Sequence, residues 1–134
     1  MVTETLVKET LASKTISLGK NLVLALDKAQ FIVAAALWLY LPETGTWRLM
    51  IASPQVRSEG PRKAYKKIQS VLSKLSSAPA RISLQDIAVV DSNDSFISLL
   101  RNAVRTEDGI SDIRFTKNTI NGFFIEDAHI YRLT

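Results

Sequence analysis

Phe31 to Pro54 reads FIVAAALWLYLPETGTWRLMIASP, and this stretch decides the fold. Phe31 to Leu41 is an unbroken apolar run. Pro42-Glu43-Thr44-Gly45-Thr46 follows, and then a second run rich in branched and aromatic residues, Trp47 to Ser53. Two such runs joined by a short Gly-containing connection are the signature of a β-hairpin. With no polar alternation, the first strand is expected at the centre of a sheet, buried on both faces. In the second, period-two geometry sends Arg48 away from the face shared by Trp47, Leu49 and Ile51. The alanines at 34–36 favour helix in isolation. The strand reading rests on Leu37-Trp38-Leu39-Tyr40-Leu41 running straight into the Pro-containing turn, with small residues before it that let a helix pack close.

Working outward, Thr3 to Lys14 has the spacing of a short amphipathic helix, and Ser17-Leu18-Gly19 interrupts it before a second helix at Lys20 to Ala29. One bent helix is the alternative, because a single interior Gly costs only about 1 kcal/mol. Downstream of the hairpin, Ser53-Pro54 opens a polar loop that ends at Gly60-Pro61, a helix start with proline in the first turn. Ala64, Tyr65, Ile68, Val71, Leu72 and Leu75 then recur at i, i+3 and i+4 spacing, predicting a helix over 61–77. Ile82-Ser83-Leu84 and Ile87 to Val90 read as one strand bulged at Gln85-Asp86. Asp91-Ser92-Asn93-Asp94 is a run of capping residues ahead of a helix with Phe96, Leu99, Leu100, Ala103 and Val104 inward. Asn121-Gly122 is a type I′ signal joining a strand at Ile113 to Ile120 with Phe123-Phe124-Ile125, and Ala128 to Leu133 closes the pattern as a strand after a turn or bulge at Glu126-Asp127. These elements specify one α+β domain over residues 1–134. Its mostly antiparallel sheet of about five strands, with the 31–41/47–53 hairpin at its centre, is covered by helices in the order ααββαβαββ.

The chain has 134 residues, 46% of them apolar, and no cysteine. That is enough for one sizeable core, and it leaves no route to a disulfide framework, a thiolate metal site or a catalytic thiol. The start MVTETLVKET lacks a basic, then apolar, export pattern. The longest apolar run, at eleven residues, falls well below the roughly 20 that span a bilayer. A cytoplasmic protein with no membrane association is expected. The net charge of +4 is unevenly placed. Arg57, Arg62, Lys63, Lys66, Lys67, Lys74 and Arg81 stand against Glu59 alone, a local +6 that leaves the rest of the chain at −2.

Three groups of residues are candidates for function. Arg62, Lys63, Lys66, Lys67 and Lys74 form a basic stripe on the 61–77 helix, the pattern that gathers phosphates. The aromatic and glycine interleaving of a single-strand binder does not accompany it, and a solvated face is the plainer use of such lysines. Asp86, Asp91 and Asp94 cluster near a strand end, where paired carboxylates could hold Mg²⁺ for a hydrolase. Their simpler use is as caps and turns. His129, the sole histidine, is expected on one strand face with Tyr131 and Leu133, with Asp127 on the opposite face, in a structural or surface role. Serine-nucleophile elbows, P-loops and dinucleotide fingerprints do not occur, so no catalytic residue, cofactor or metal is assigned. The expected function is a non-enzymatic binding or assembly protein, acting as a homo-oligomer or with a protein partner. The alternative is a nucleic-acid-associated protein using the basic helix, and a metal-dependent hydrolase is the weaker one.

Overall fold

The computed structural model describes residues 11–75 and 82–134. α1 (Ser13–Lys28) leads into β1 (Ala35–Leu41) and β2 (Thr46–Ser53), followed by α2 (Gln55–Glu59), α3 (Pro61–Leu75) and a 3₁₀ turn (Leu84–Asp86) that opens β3 (Ile87–Asp91). Then come α4 (Ser95–Leu100) and a hairpin of β4 (Ile113–Ile120) and β5 (Phe123–Leu133). The sheet order is β3-β2-β1-β5-β4, so β1 is the middle strand, as its apolar run requires. β1 pairs antiparallel with β2 and β5, and β5 with β4, while β3 runs parallel to β2 with α2 and α3 as the crossover. The α+β class and the central hairpin hold, and the sheet is mixed. Among the described residues no helix is long and apolar enough to cross a membrane.

Several boundaries differ from those expected, each for a local reason. The first strand begins at Ala35, not at Phe31. Gln30 sits at φ 62°, and its N–H and that of Phe31 return to the carbonyls of Asp27 and Leu26. This is a Schellman closure of α1, and it spends Phe31 on ending the helix. Gly19 does not divide two helices, because α1 runs through it. The expected Thr3 to Lys14 helix falls mostly outside the described residues. The polar loop before Gly60 holds the short α2. The expected bulge at Gln85-Asp86 is instead the 3₁₀ turn, closed by a capping box in which Ser83 and Asp86 bond each other's backbone N–H. Asn121 and Gly122, at φ 48° and 83°, make the expected tight turn. β5 then continues unbroken through Glu126-Asp127.

Two cores lie on the two faces of the sheet. Ala36, Trp38, Leu49, Ile51, Ile87, Val89 and Tyr131 pack under α1 and α3, against Leu22, Leu26, Ala64 and Ile68. Ala35, Leu37, Leu39, Ala52, Ala128, Ile130 and Leu133 form the other face, with Ile97 and Leu100 of α4.

β5 carries one irregularity that positions much else. Its register against β1 shifts between Ala36, opposite Arg132, and Leu37, opposite Ile130, leaving Tyr131 as the extra residue of a bulge. Tyr131 and Arg132 therefore both reach α1, and Leu133 falls on the far face, not beside His129 and Tyr131 as strict alternation suggested. Tyr131 Oη donates to the Ile16 carbonyl at 2.6 Å and accepts from Trp38 Nε1 at 3.0 Å. Burial pushes its phenol up to about 12, so the hydroxyl stays protonated and keeps donating. The helix can approach this hydroxyl only because residue 19 has no side chain. A Cβ there would lie 2.3 Å from Tyr131 Oη and 2.7 Å from Trp38 Nε1.

Two substitutions in and beside α1 should act with opposite sign in urea unfolding. Gly19→Ala overpacks the Trp38–Tyr131 contact and is expected to cost about 1–3 kcal/mol. Gln30→Gly relieves a left-handed side-chain residue and is expected to add up to about 1 kcal/mol. A neutral Gly19→Ala would mean that α1 does not sit on Tyr131 as described.

Candidate functional site

α3 places its side chains as its spacing predicts. At about 100° per residue, Ala64, Ile68, Val71, Leu72 and Leu75 occupy one side, while Arg62, Lys66, Lys63, Lys74 and Lys67 spread over an arc of about 140° on the other. All five cations are exposed. Among the described residues only Lys67 of the five reaches a carboxylate, Glu59 of α2 at 2.8 Å. That hydrogen bond, more than any other influence, holds the Glu59 carboxyl below its ordinary value. Lys67 and Lys74 also line a groove of about 200 Å³ with Ser70 and Val71, closed on its far side by Ala29, Gln30 and Phe31. Tyr65, expected inward, spans α3 and β3. Its hydroxyl lies within hydrogen-bond distance of the Ile87 carbonyl and accepts from the Val89 N–H.

The structure does not bring the three carboxylates into one site. Asp86 belongs to the capping box. Asp91 accepts from the Asn93 N–H and from Arg57 Nη2. Asp94 caps α4 by accepting from Phe96 and Ile97. Among the described residues no group of three histidines or acids is placed to hold a metal ion.

Around His129 the structure shows contacts that sequence reasoning missed. His129 faces Trp38 across β1 and Arg114 across β4. Asp127, two residues back on the same strand, shares that face and does not oppose it. Its carboxylate takes both a 2.7 Å and a 2.8 Å bond from Arg114. The Arg114 guanidinium also lies 5.7 Å from the Trp47 ring. His129 Nε2 is 2.7 Å from Asp112 Oδ1 but out of line for a hydrogen bond, so this buried nitrogen lacks a hydrogen-bond partner. Burial lowers the imidazole below its ordinary 6.5, and the nearby Asp112 opposes that shift without overcoming it. The i, i+2 spacing of Asp127 and His129 was the available signal for this cluster.

The end of α1 carries a second ion pair with one buried member. Arg132, 6% exposed, bonds Asp27 through both terminal guanidinium nitrogens at 2.9 and 2.8 Å, and also donates to the carbonyls of Val33 and Gly109. A cavity of about 550 Å³ opens beside it, lined by Gln30, Ile32 and Asp108 among others. Compared with known proteins, the chain matches no family model, no curated protein and no solved structure.

His129 is the only histidine, so its ring protons give one unambiguous NMR titration. Its midpoint is expected below 6.5, and Asp112→Asn should lower it further by removing the opposing charge. Because the folded value is depressed, the stability His129 contributes is fully present above pH 6.5 and lost as pH falls toward the folded midpoint. A midpoint above 6.5 would show that Asp112, not burial, governs the ring.

Proposed function

We propose that this chain is a non-enzymatic assembly protein that associates with a second copy of itself through the sheet face opposite α1 and α3. One observation carries the reading. Five strands spaced about 4.8 Å apart make a face about 24 Å wide, whereas the six-residue α4 that packs on it is only about 9 Å long. Leu41, Met50, Phe96, Leu99 and Phe115 consequently remain half-buried there, and Phe123, whose ring is tilted against Phe96 with centroids 5.1 Å apart, is 48% exposed. A sheet face of this composition gains by being covered by a further layer. Arg48, on the same face as Leu39 and Met50, supplies a polar rim of the kind that interfaces carry. Light scattering across a concentration series is expected to show a dimer. Phe123→Ser should weaken self-association at least about tenfold while circular dichroism shows the fold retained, since the ring is half exposed. A monomer throughout the series would sink the proposal.

The continuous basic arc of α3 supports a second reading, sequence-independent contact with nucleic-acid phosphates. It predicts oligonucleotide affinity that falls steeply with salt and is lost when Lys63, Lys66 and Lys67 are changed together to Glu. Affinity indifferent to that triple change would remove α3 from consideration.

A further inference from the structure

We propose that the groove between the closing turn of α1 and the lysine face of α3 docks an acidic, aliphatic peptide segment of a partner protein. The inference rests on the chain being a protein-binding module and names a class of partner for it. It uses a surface separate from the sheet face.

The groove has an aliphatic floor and a cationic rim. Val71 and Ala29 line it, and Leu75, outside the lining but one turn beyond Val71 on α3, is 41% exposed. Lys67 and Lys74 stand at its two ends, seven residues apart, or about 10.5 Å along the helix. Ser70 and Val71 lie between them. Two extended lysine side chains at that separation can both reach carboxylates on a strand of peptide laid along the floor. Lys67 spends one of its three N–H donors on Glu59, which fixes its position and leaves donors free. Among the described residues Lys74 has no carboxylate partner, and it keeps its full charge for a ligand. Gln30 adds a neutral amide at the rim. The carbonyls of Leu26 and Asp27 at the end of α1 are already bonded by the N–H groups of Phe31 and Gln30, so the helix end presents few bare acceptors to an incoming acid.

Charge and surface together favour a peptide over a nucleic acid at this groove. Its lining offers no exposed aromatic ring on which a base could stack. Glu59, locked on Lys67, partly offsets the charge at that end, which disfavours a continuous phosphate backbone more than a peptide whose few carboxylates can be spaced to meet Lys74 and the free donors of Lys67. An aliphatic floor between two ammonium groups matches leucine or valine flanked by glutamate or aspartate.

Fluorescence anisotropy with the full chain tests this, using dye-labelled glutamates interspersed with leucines, a polyglutamate of equal length and a single-stranded oligonucleotide. The mixed peptide is expected to bind tightest. Lys74→Glu should weaken it at least about tenfold, a loss near 1.4 kcal/mol. Leu75→Ser should weaken the mixed peptide but leave polyglutamate unchanged. Both positions are exposed, so each variant is expected to keep its fold, which circular dichroism checks. The proposal is overturned by tighter binding of the oligonucleotide, by mixed-peptide affinity indifferent to Lys74→Glu, or by no peptide binding at all. If the Phe123→Ser variant still loses self-association in that last case, the groove fails alone. If wild type neither self-associates nor binds peptide, the binding-protein reading fails with it.

Discussion

The paired bonds between Arg132 and Asp27 join residues 105 positions apart, and much of the architecture depends on their being made. They tie β5 to the last turn of α1. Through the Val33 and Gly109 carbonyls the same guanidinium also anchors the connection into β1 and the loop ahead of β4. A buried guanidinium is tolerable only when its donors are met, so removing Asp27 would leave the buried Arg132 charge without its carboxylate. The geometry exists because β5 is bulged at Tyr131. Without the extra residue, Tyr131 and Arg132 would point to opposite faces and only one could reach the helix.

This arrangement makes the two faces of the sheet unequal. On one, helices of 16 and 15 residues cover an apolar floor, and Trp38, Tyr131 and the Ile16 carbonyl form a hydrogen-bonded chain through it. Beyond the start of α1 the same face turns polar, with His129, Asp127 and Arg114 side by side. On the other, a single short helix and the chain that follows it leave a rim of aromatic and aliphatic side chains half covered. The asymmetry follows from topology. The crossover that makes β3 parallel to β2 spends α2 and α3 on one side, so only α4 and its exit loop remain for the other.

Features encoded within a few neighbouring residues are legible in the sequence. The helix Pro61–Leu75, the Asn121-Gly122 turn, the cap at Asp94 and the central place of β1 all have local signals in hydrophobic period or turn chemistry. Features set by partners far along the chain are not. Nothing near Ile87 indicates that β3 lies parallel to β2, and nothing around Asp27 points to Arg132. Gly19 looks like a helix breaker because the reason for its lack of a side chain, the Tyr131 hydroxyl, lies 112 positions away. The end of α1 near Ala29 is legible although Gln30 stands where Gly is usual, whereas the use of Phe31 in closing the helix is not. Of the candidate residues, the five cations occupy the exposed stripe that their spacing predicts. The polar cluster around His129 escapes a sequence reading because Arg114 joins it only across the β4–β5 pairing.

The central position of β1 also has a consequence for the order in which the protein can form. β1 and β2 are neighbours in sequence and can pair as soon as both are made, since a hairpin closes on the microsecond scale. The other edge of β1 must wait for residues 128–133. During synthesis, a strand whose side chains include Leu37, Trp38 and Leu39 therefore stays open along one backbone edge while some ninety further residues emerge. The most apolar strand of the molecule is thus the one left longest without its second neighbour.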